Sequence, residues 1–132
     1  MFFIFRFTNK VLSQKFFKYP IPILWILVIL YLCFFDLSEV EPDSLKIPNL
    51  DKLVHLILYY VLCYLLMAAK WSEQKNYNLS VIVFCILLGI FVELMQNFVF
   101  TYRSAEYLDM LSNLAGIFLG FFTYLKTKSS TN

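Results

Sequence analysis

Four long apolar segments, separated by short polar stretches, constrain the fold of this chain more than any other feature. They cover about residues 20–36, 52–70, 79–100 and 107–125. In the hydrocarbon of a bilayer every backbone amide must be satisfied within the protein, and a helix of about 20 mostly apolar residues does this across the full thickness. The segments therefore predict four membrane-spanning helices, of which the first is the shortest.

The composition excludes an ordinary soluble domain. Hydrophobic residues make up 61% and charged residues 15% of the 132 residues, whereas soluble domains have roughly 45–50% apolar residues. The basic residues lie in short flanks rather than on a surface interleaved with aromatic side chains, so we expect no nucleic-acid partner. The three cysteines fall inside apolar runs without metal-ligand spacing, and we interpret them as small buried hydrophobic residues.

The two ends of the chain differ from the apolar segments. Residues 1–19 mix aromatic and basic side chains at near-helical spacing, which is typical of an amphipathic segment lying in the headgroup layer of a membrane. No small-residue cleavage site follows the first apolar run, which argues against a signal peptide. Residues 127–132 read as a polar tail. The predicted fold is thus an all-α integral membrane four-helix bundle over residues 20–126, preceded by an interfacial segment.

The distribution of lysine and arginine predicts the orientation in the membrane. The flanks that would share a side with the two termini hold Arg6, Lys10, Lys15, Lys18, Lys70, Lys75, Lys126 and Lys128. The opposite flanks hold only Lys46, Lys52 and Arg103. Cytoplasmic flanks carry the excess of basic residues, so we expect both termini in the cytoplasm.

Polar side chains interrupt the apolar segments at one end only, the end that this topology places outside the cytoplasm. A buried polar group in hydrocarbon costs several kcal/mol unless it finds a partner or water. Residues four apart share a helix face, and the polar residues fall on three such faces: Asp51, His55 and Tyr59; Glu93, Gln96 and Asn97; Asp109, Asn113 and Gly116. We therefore predict one shared polar pocket.

Simpler roles exist for some of these residues. The amides of Gln96, Asn97 and Asn113 could each bond a neighbouring helix, and Gly116 with Gly120 forms a small-xxx-small pair that favours close helix packing. The carboxyl group of Glu93 lies about two turns inside its segment, so it must be neutral, paired or in contact with water. Its expected charged partner is Arg103, with Lys52 as the competitor.

A metal site and a catalytic pair would use the same side chains. His55, Glu93 and Asp109 could give one nitrogen and two carboxylate oxygens to a divalent cation. No second histidine exists, and the guanidinium of Arg103 would repel the ion, so we predict no metal and no cofactor. If the protein is an enzyme, His55 and either Glu93 or Asp109 would form a general base and acid pair.

Three spaced motifs carry a resemblance to a known family. They are D-K-x-x-H at 51–55, E-x-x-Q at 93–96, and R-x-x-E-x-x-D-x-x-x-N-x-x-G from Arg103 through Glu106, Asp109 and Asn113 to Gly116. With these motifs in this order, the sequence resembles the VanZ-like family of small bacterial membrane proteins over about half of its length. It departs from the family pattern at Glu106, where aspartate is common, and at Tyr102, where glycine often precedes the arginine.

The resemblance implies a multi-pass protein of the bacterial cytoplasmic membrane with a link to resistance against the glycopeptide teicoplanin. The function we expect is recognition of an envelope molecule, such as a lipid-linked cell-wall precursor or a glycopeptide, in a pocket that faces away from the cytoplasm. An enzyme acting on a lipid headgroup and a structural or assembly subunit remain alternatives, and a homo-oligomer stays open. The predicted site residues are Asp51, Lys52, His55, Tyr59, Glu93, Gln96, Arg103, Glu106, Asp109 and Asn113.

Overall fold

Helices make up almost all of the chain where its structure is described. The computed structural model describes residues 15–34, 50–70, 74–99 and 107–129, and these ranges contain no β-strand. The helices are α1 (Lys15–Lys18), α2 (Pro20–Phe34), α3 (Leu50–Ala69), α4 (Tyr77–Val99) and α5 (Tyr107–Ser129). The predicted all-α architecture with four main helices is confirmed. Of the predicted interfacial segment, residues 1–14 lie outside the described ranges.

Three of the helices are long and apolar enough to cross a membrane. These are α3 with 20 residues and α4 and α5 with 23 residues each, whereas α2 has 15. At about 1.5 Å per residue, α3 to α5 reach at least the ~30 Å of the hydrocarbon layer and α2 is shorter. Large apolar side chains also cover the outer faces of the helices, among them Leu24, Leu87, Phe98 and Phe122. Such a surface fits lipid rather than water.

Local sequence explains where the helices begin and end. Two prolines lie in the first turn of α2, where a missing amide hydrogen costs nothing. Helix α3 ends at Ala69, and the next residue, Lys70, takes the left-handed conformation common after a helix, with φ 46°. Helix α5 continues to Ser129, so part of the predicted polar tail is helical. Lys126 and Lys128 lie in its last turn, where positive charge stabilises the helix dipole.

The closest helix packing is between α3 and α5, which run parallel. A Cβ atom built on Gly116 would lie 2.3 Å from the carbonyl oxygen of Leu56, and one on Gly120 would lie 2.5 Å from the carbonyl oxygen of Tyr60. Two helix backbones can approach this closely only where the intervening residue has no side chain. The predicted packing role of Gly116 and Gly120 is confirmed.

Helices α2 and α4 run antiparallel to α3 and complete the bundle. The indole of Trp25 on α2 donates a hydrogen bond to the carbonyl oxygen of Leu58 on α3 at 2.9 Å. The hydroxyl of Tyr77 at the start of α4 donates to the carbonyl oxygen of Leu66 at 2.8 Å. Buried apolar side chains from all four main helices fill the space between them. As predicted, the three cysteines are among these buried side chains, and they are free thiols.

The glycine contacts predict a large effect of small substitutions. Gly116→Ala and Gly120→Ala should each lower the free energy of unfolding in detergent by about 1–3 kcal/mol, because the added methyl group meets backbone atoms that cannot rotate away. Gly89→Ala is the matched control, since its Cβ would lie at ordinary contact distances of 3.4 Å or more. Equal stability of all three variants would contradict the parallel backbone contact.

Candidate functional site

Polar side chains from three helices gather at one end of the bundle. We call this the polar end; Phe34, Leu50, Val99 and Tyr107 lie there. The buried polar side chains at this end are His55, Glu93, Gln96, Asp109 and Asn113, each no more than 5% exposed. The predicted convergence of three helix faces is thus present in the described residues. In the same ranges, Thr127 is the buried polar side chain near the opposite end, and its hydroxyl donates to the carbonyl oxygen of Tyr124.

Three charged side chains, those of Asp51, Lys52 and Asp109, lie close together at the outer edge of this site. The ammonium of Lys52 lies 3.1 Å from a carboxylate oxygen of Asp51 and 3.7 Å from Oδ1 of Asp109. The side chains of Lys52 and Asp51 are 18% and 38% exposed, whereas that of Asp109 is 7% exposed. Asp109 also lies in the first turn of α5, where the helix dipole stabilises negative charge. The lysine therefore bridges an outer and an inner carboxylate.

The centre of the site joins α3, α4 and α5. Nδ1 of His55 lies 3.1 Å from Oδ1 of Asn113 and 3.5 Å from Oε1 of Glu93. The amide nitrogen of Asn113 donates to the same carboxylate oxygen of Glu93 at 3.5 Å. The 3.1 Å separation is that of an ordinary hydrogen bond, whereas 3.5 Å is at the long end of the range. The contacts of Glu93 with His55 and Asn113 are therefore weaker than the contact between His55 and Asn113.

Tyr59 and Gly89 form the inner boundary of the site. A Cβ atom on Gly89 would lie 3.4 Å from the amide nitrogen of Asn113 and 3.6 Å from Cζ of Tyr59, the carbon that bears the hydroxyl. Tyr59 is fully buried, and its hydroxyl has no hydrogen-bond partner within the described ranges. Sequence reasoning missed Gly89, although it lies four residues before Glu93 and so on the same face.

Gln96 takes the simpler of its two predicted roles. Its amide nitrogen donates to the carbonyl oxygen of Cys33, in the last turn of α2, at 2.7 Å. Such terminal carbonyls have no partner within their own helix. The placement of Asn97 on the same buried face was wrong, because Asn97 is exposed. A helix turns about 100° per residue. Asn97 is therefore rotated by roughly a quarter turn from Gln96, away from the buried face that contains Gly89, Val92 and Gln96.

Two predicted site residues lie outside the described ranges. Arg103 and Glu106 fall within residues 100–106. The predicted pairing of Arg103 with Glu93 therefore stays a prediction. Within the ranges that are described, the competitor Lys52 approaches Asp51 and Asp109, and the cationic side chain near Glu93 is that of His55 when protonated.

The described side chains make the site rich in carboxyl groups. Asp51, Glu93 and Asp109 carry three carboxyl groups, whereas Lys52 is the one permanent cation among the site residues placed by the structure. Carboxylates accept hydrogen bonds from hydroxyl and ammonium groups and also bind cations. The arrangement suits a ligand that offers donors or positive charge, and Lys52 adds a contact for an acidic group.

A family model for VanZ/LLP1 matches residues 1–128. The chain belongs to the VanZ/LLP1 family. The match extends to both sides of the region that holds the three motifs, and so includes the first apolar segment. Family membership and three helices of spanning length together identify a membrane protein.

Comparison of this VanZ/LLP1 chain with curated proteins gives no match, and neither does comparison with solved structures.

The bond from Gln96 predicts a structural contribution that can be measured. Gln96→Ala should lower the free energy of unfolding by about 1–2 kcal/mol, because it removes a buried donor and leaves a helix-end carbonyl without it. Asn97→Ala is the control on the neighbouring exposed position and should change stability by less than about 0.5 kcal/mol. Denaturant titration in detergent micelles checks both variants. If both variants lost the same free energy of unfolding, the hydrogen bond from Gln96 would not stabilise the fold.

Proposed function

We propose that this protein is a multi-pass protein of the bacterial cytoplasmic membrane whose polar end recognises the headgroup of an envelope molecule. The observation that carries the proposal is the burial of His55, Glu93, Asp109 and Asn113 from three helices around one point. Intramembrane ionisable groups are costly and usually mark a functional site.

The cost of this cluster argues against a purely structural role. Helices α3 and α5 already meet through the backbone contacts of Gly116 and Gly120. Polar bonds between membrane helices contribute only about 0.6 kcal/mol on average, whereas burying a carboxylate costs several kcal/mol. Two buried carboxyl groups are therefore a poor way to hold helices together, and ligand binding is the better explanation for them.

The chemistry of the site suits a sugar-bearing or acidic headgroup. The carboxyl groups of Glu93 and Asp109 would accept hydrogen bonds from hydroxyl groups, and Asn113 would both donate and accept. Lys52, with Arg103 from the adjoining segment, would contact phosphate or carboxylate groups. A lipid-linked cell-wall precursor combines these features. A ligand of this kind agrees with the link to teicoplanin resistance that the family resemblance implies, since glycopeptides act on such precursors.

The distribution of the basic residues supports the proposed sidedness of the site. Lys70, Lys75, Lys126 and Lys128 flank the end opposite to the polar end. Under the positive-inside tendency this end faces the cytoplasm. The polar end would then face the compartment in which envelope precursors and glycopeptides meet.

An enzyme is the second candidate, favoured by the contact between His55 and Glu93 at 3.5 Å. The imidazole would act as a base or acid, and Asn113 would hold the ring in place through Nδ1. Water would be the attacking group in the hydrolysis of a lipid headgroup. This reading predicts product formation from labelled envelope lipids that His55→Ala abolishes while the fold is kept.

The orientation is tested by labelling. In a variant with alanine at Cys33, Cys63 and Cys85, a membrane-impermeant maleimide should label Ser38→Cys in intact cells. It should label Ser130→Cys only after permeabilisation, because we place the termini in the cytoplasm. The reverse pattern would overturn the proposed sidedness.

Binding of a purified lipid-linked cell-wall precursor tests the proposed function. In nanodiscs, Arg103→Ala and Lys52→Gln should each weaken the affinity by about tenfold or more, since a hydrogen bond to a charged group contributes about 1.5–3 kcal/mol. Asn97→Ala, which changes an exposed side chain on α4, should bind like the wild type. Unchanged binding by both charge variants would contradict headgroup recognition at this site.

A further inference from the structure

Three side chains of metal-ligating type meet at the centre of the polar end. They are His55 on α3, Glu93 on α4 and Asp109 on α5, and all three are buried. One potential ligand atom from each lies within 4.8 Å of the others. Because each residue comes from a different helix, the packing of the bundle brings these atoms together, and local sequence does not.

We propose that His55, Glu93 and Asp109 bind a divalent transition-metal cation. The best-defined pair has the spacing of such a site: Nδ1 of His55 and Oε1 of Glu93 are 3.5 Å apart. Two ligands about 2.1 Å from a tetrahedral ion lie about 3.4 Å from each other. An ion between them would therefore bind both with hardly any movement of either side chain.

The donor set indicates the class of ion. One imidazole nitrogen and two carboxylate oxygens suit Mn²⁺, Fe²⁺ or Zn²⁺, whereas Mg²⁺ and Ca²⁺ prefer oxygen ligands alone. Oδ1 of Asn113 lies 3.1 Å from Nδ1 of His55 and is placed to supply a further oxygen. An ion held by these groups would keep coordination positions for water or for an acidic group of a bound molecule.

The burial of the two inner carboxyl groups is compatible with a cation at this point. Glu93 and Asp109 are almost completely buried, and positive charge close to a buried carboxyl group favours its ionised form. A divalent ion bound between them would supply such charge to both groups.

The buried hydroxyl of Tyr59 is a second, independent indication of a ligand. It has no hydrogen-bond partner in the parts of the chain that are described, although Tyr59 is fully buried. The side chain follows His55 by one helical turn, and its Cζ and the Asn113 amide nitrogen border the same Gly89 position. Buried hydroxyl groups are normally hydrogen-bonded. A water or anion bound to the ion would provide the partner.

One of the two objections from the sequence loses weight in the structure. The lack of a second histidine matters less because carboxylate and amide oxygens can complete the ligand set. The other objection, repulsion of the ion by Arg103, concerns a residue outside the described ranges. Lys52 approaches Asp109 at 3.7 Å, but it is closer to Asp51 at 3.1 Å. Lys52 can therefore keep a charged partner when Asp109 binds an ion.

Metal binding to the full-length protein tests this inference without any envelope lipid. After treatment with a chelator, the wild type in detergent should bind one Mn²⁺ or Zn²⁺ per chain in calorimetry. Co²⁺ as a probe should give the visible absorption of a protein-bound ion. Glu93→Gln and Asp109→Asn should each weaken binding about tenfold or more, because loss of an outer-shell partner already costs about 10–100-fold.

Matched variants distinguish this site from adventitious binding. Ser112→Ala changes a half-buried residue on α5 between Asp109 and Asn113, whose hydroxyl donates to the carbonyl oxygen of Leu108, and should bind the ion like the wild type. The variants that remove carboxylate charge keep side-chain size, and helical circular dichroism verifies their fold. No binding by the wild type, or equal binding by Glu93→Gln, Asp109→Asn and wild type, would overturn the metal site. Binding of a lipid-linked precursor to chelator-treated protein would show that the headgroup proposal stands without the metal.

Discussion

The backbone contact between α3 and α5 sets the relative position of two of the three helices that form the polar site. Gly116 lies against Leu56, and Gly120 lies one turn further along against Tyr60. This contact fixes the register of two parallel helices. Because His55 adjoins Leu56 and Asn113 precedes Gly116 by one turn, the same register places the imidazole 3.1 Å from the amide oxygen. The placement of His55 beside Asn113 therefore follows from the glycine packing of α3 and α5.

The polar groups of the bundle divide into two kinds by the lengths of their bonds. Trp25 and Gln96 donate to backbone carbonyls at 2.9 Å and 2.7 Å, and these bonds tie α2 to its neighbours. The contacts that Glu93 makes with His55 and Asn113 are 3.5 Å long. Short bonds to backbone carbonyl groups are typical of structural pairs, whereas contacts of 3.5 Å are weak hydrogen bonds.

Much of this arrangement can be predicted from the sequence because it follows from hydropathy and helical period. The apolar segments predict the helices, and the spacing of Gly116 and Gly120 predicts their close packing against a neighbouring helix. The helical spacing of the polar residues predicts that His55, Glu93, Asp109 and Asn113 are buried together. The rotation of α4 could not be predicted, since Gln96 and Asn97 are adjacent and only packing decides which of them is buried. The pairing of Gln96 with Cys33 depends on an apolar helix that carries no polar signal of its own.

The central claim is that the buried carboxyl groups serve a ligand at the expense of stability. The most direct test is the free energy of unfolding of the double variant Glu93→Gln/Asp109→Asn in micelles that contain chelator and no envelope lipid. Our account predicts that the variant is as stable as the wild type or more stable, because a costly pair of buried charges is removed while Lys52 keeps Asp51 as a partner. A loss of more than about 2 kcal/mol would contradict it, because buried pairs that hold a structure together cost about 3–5 kcal/mol when they are broken.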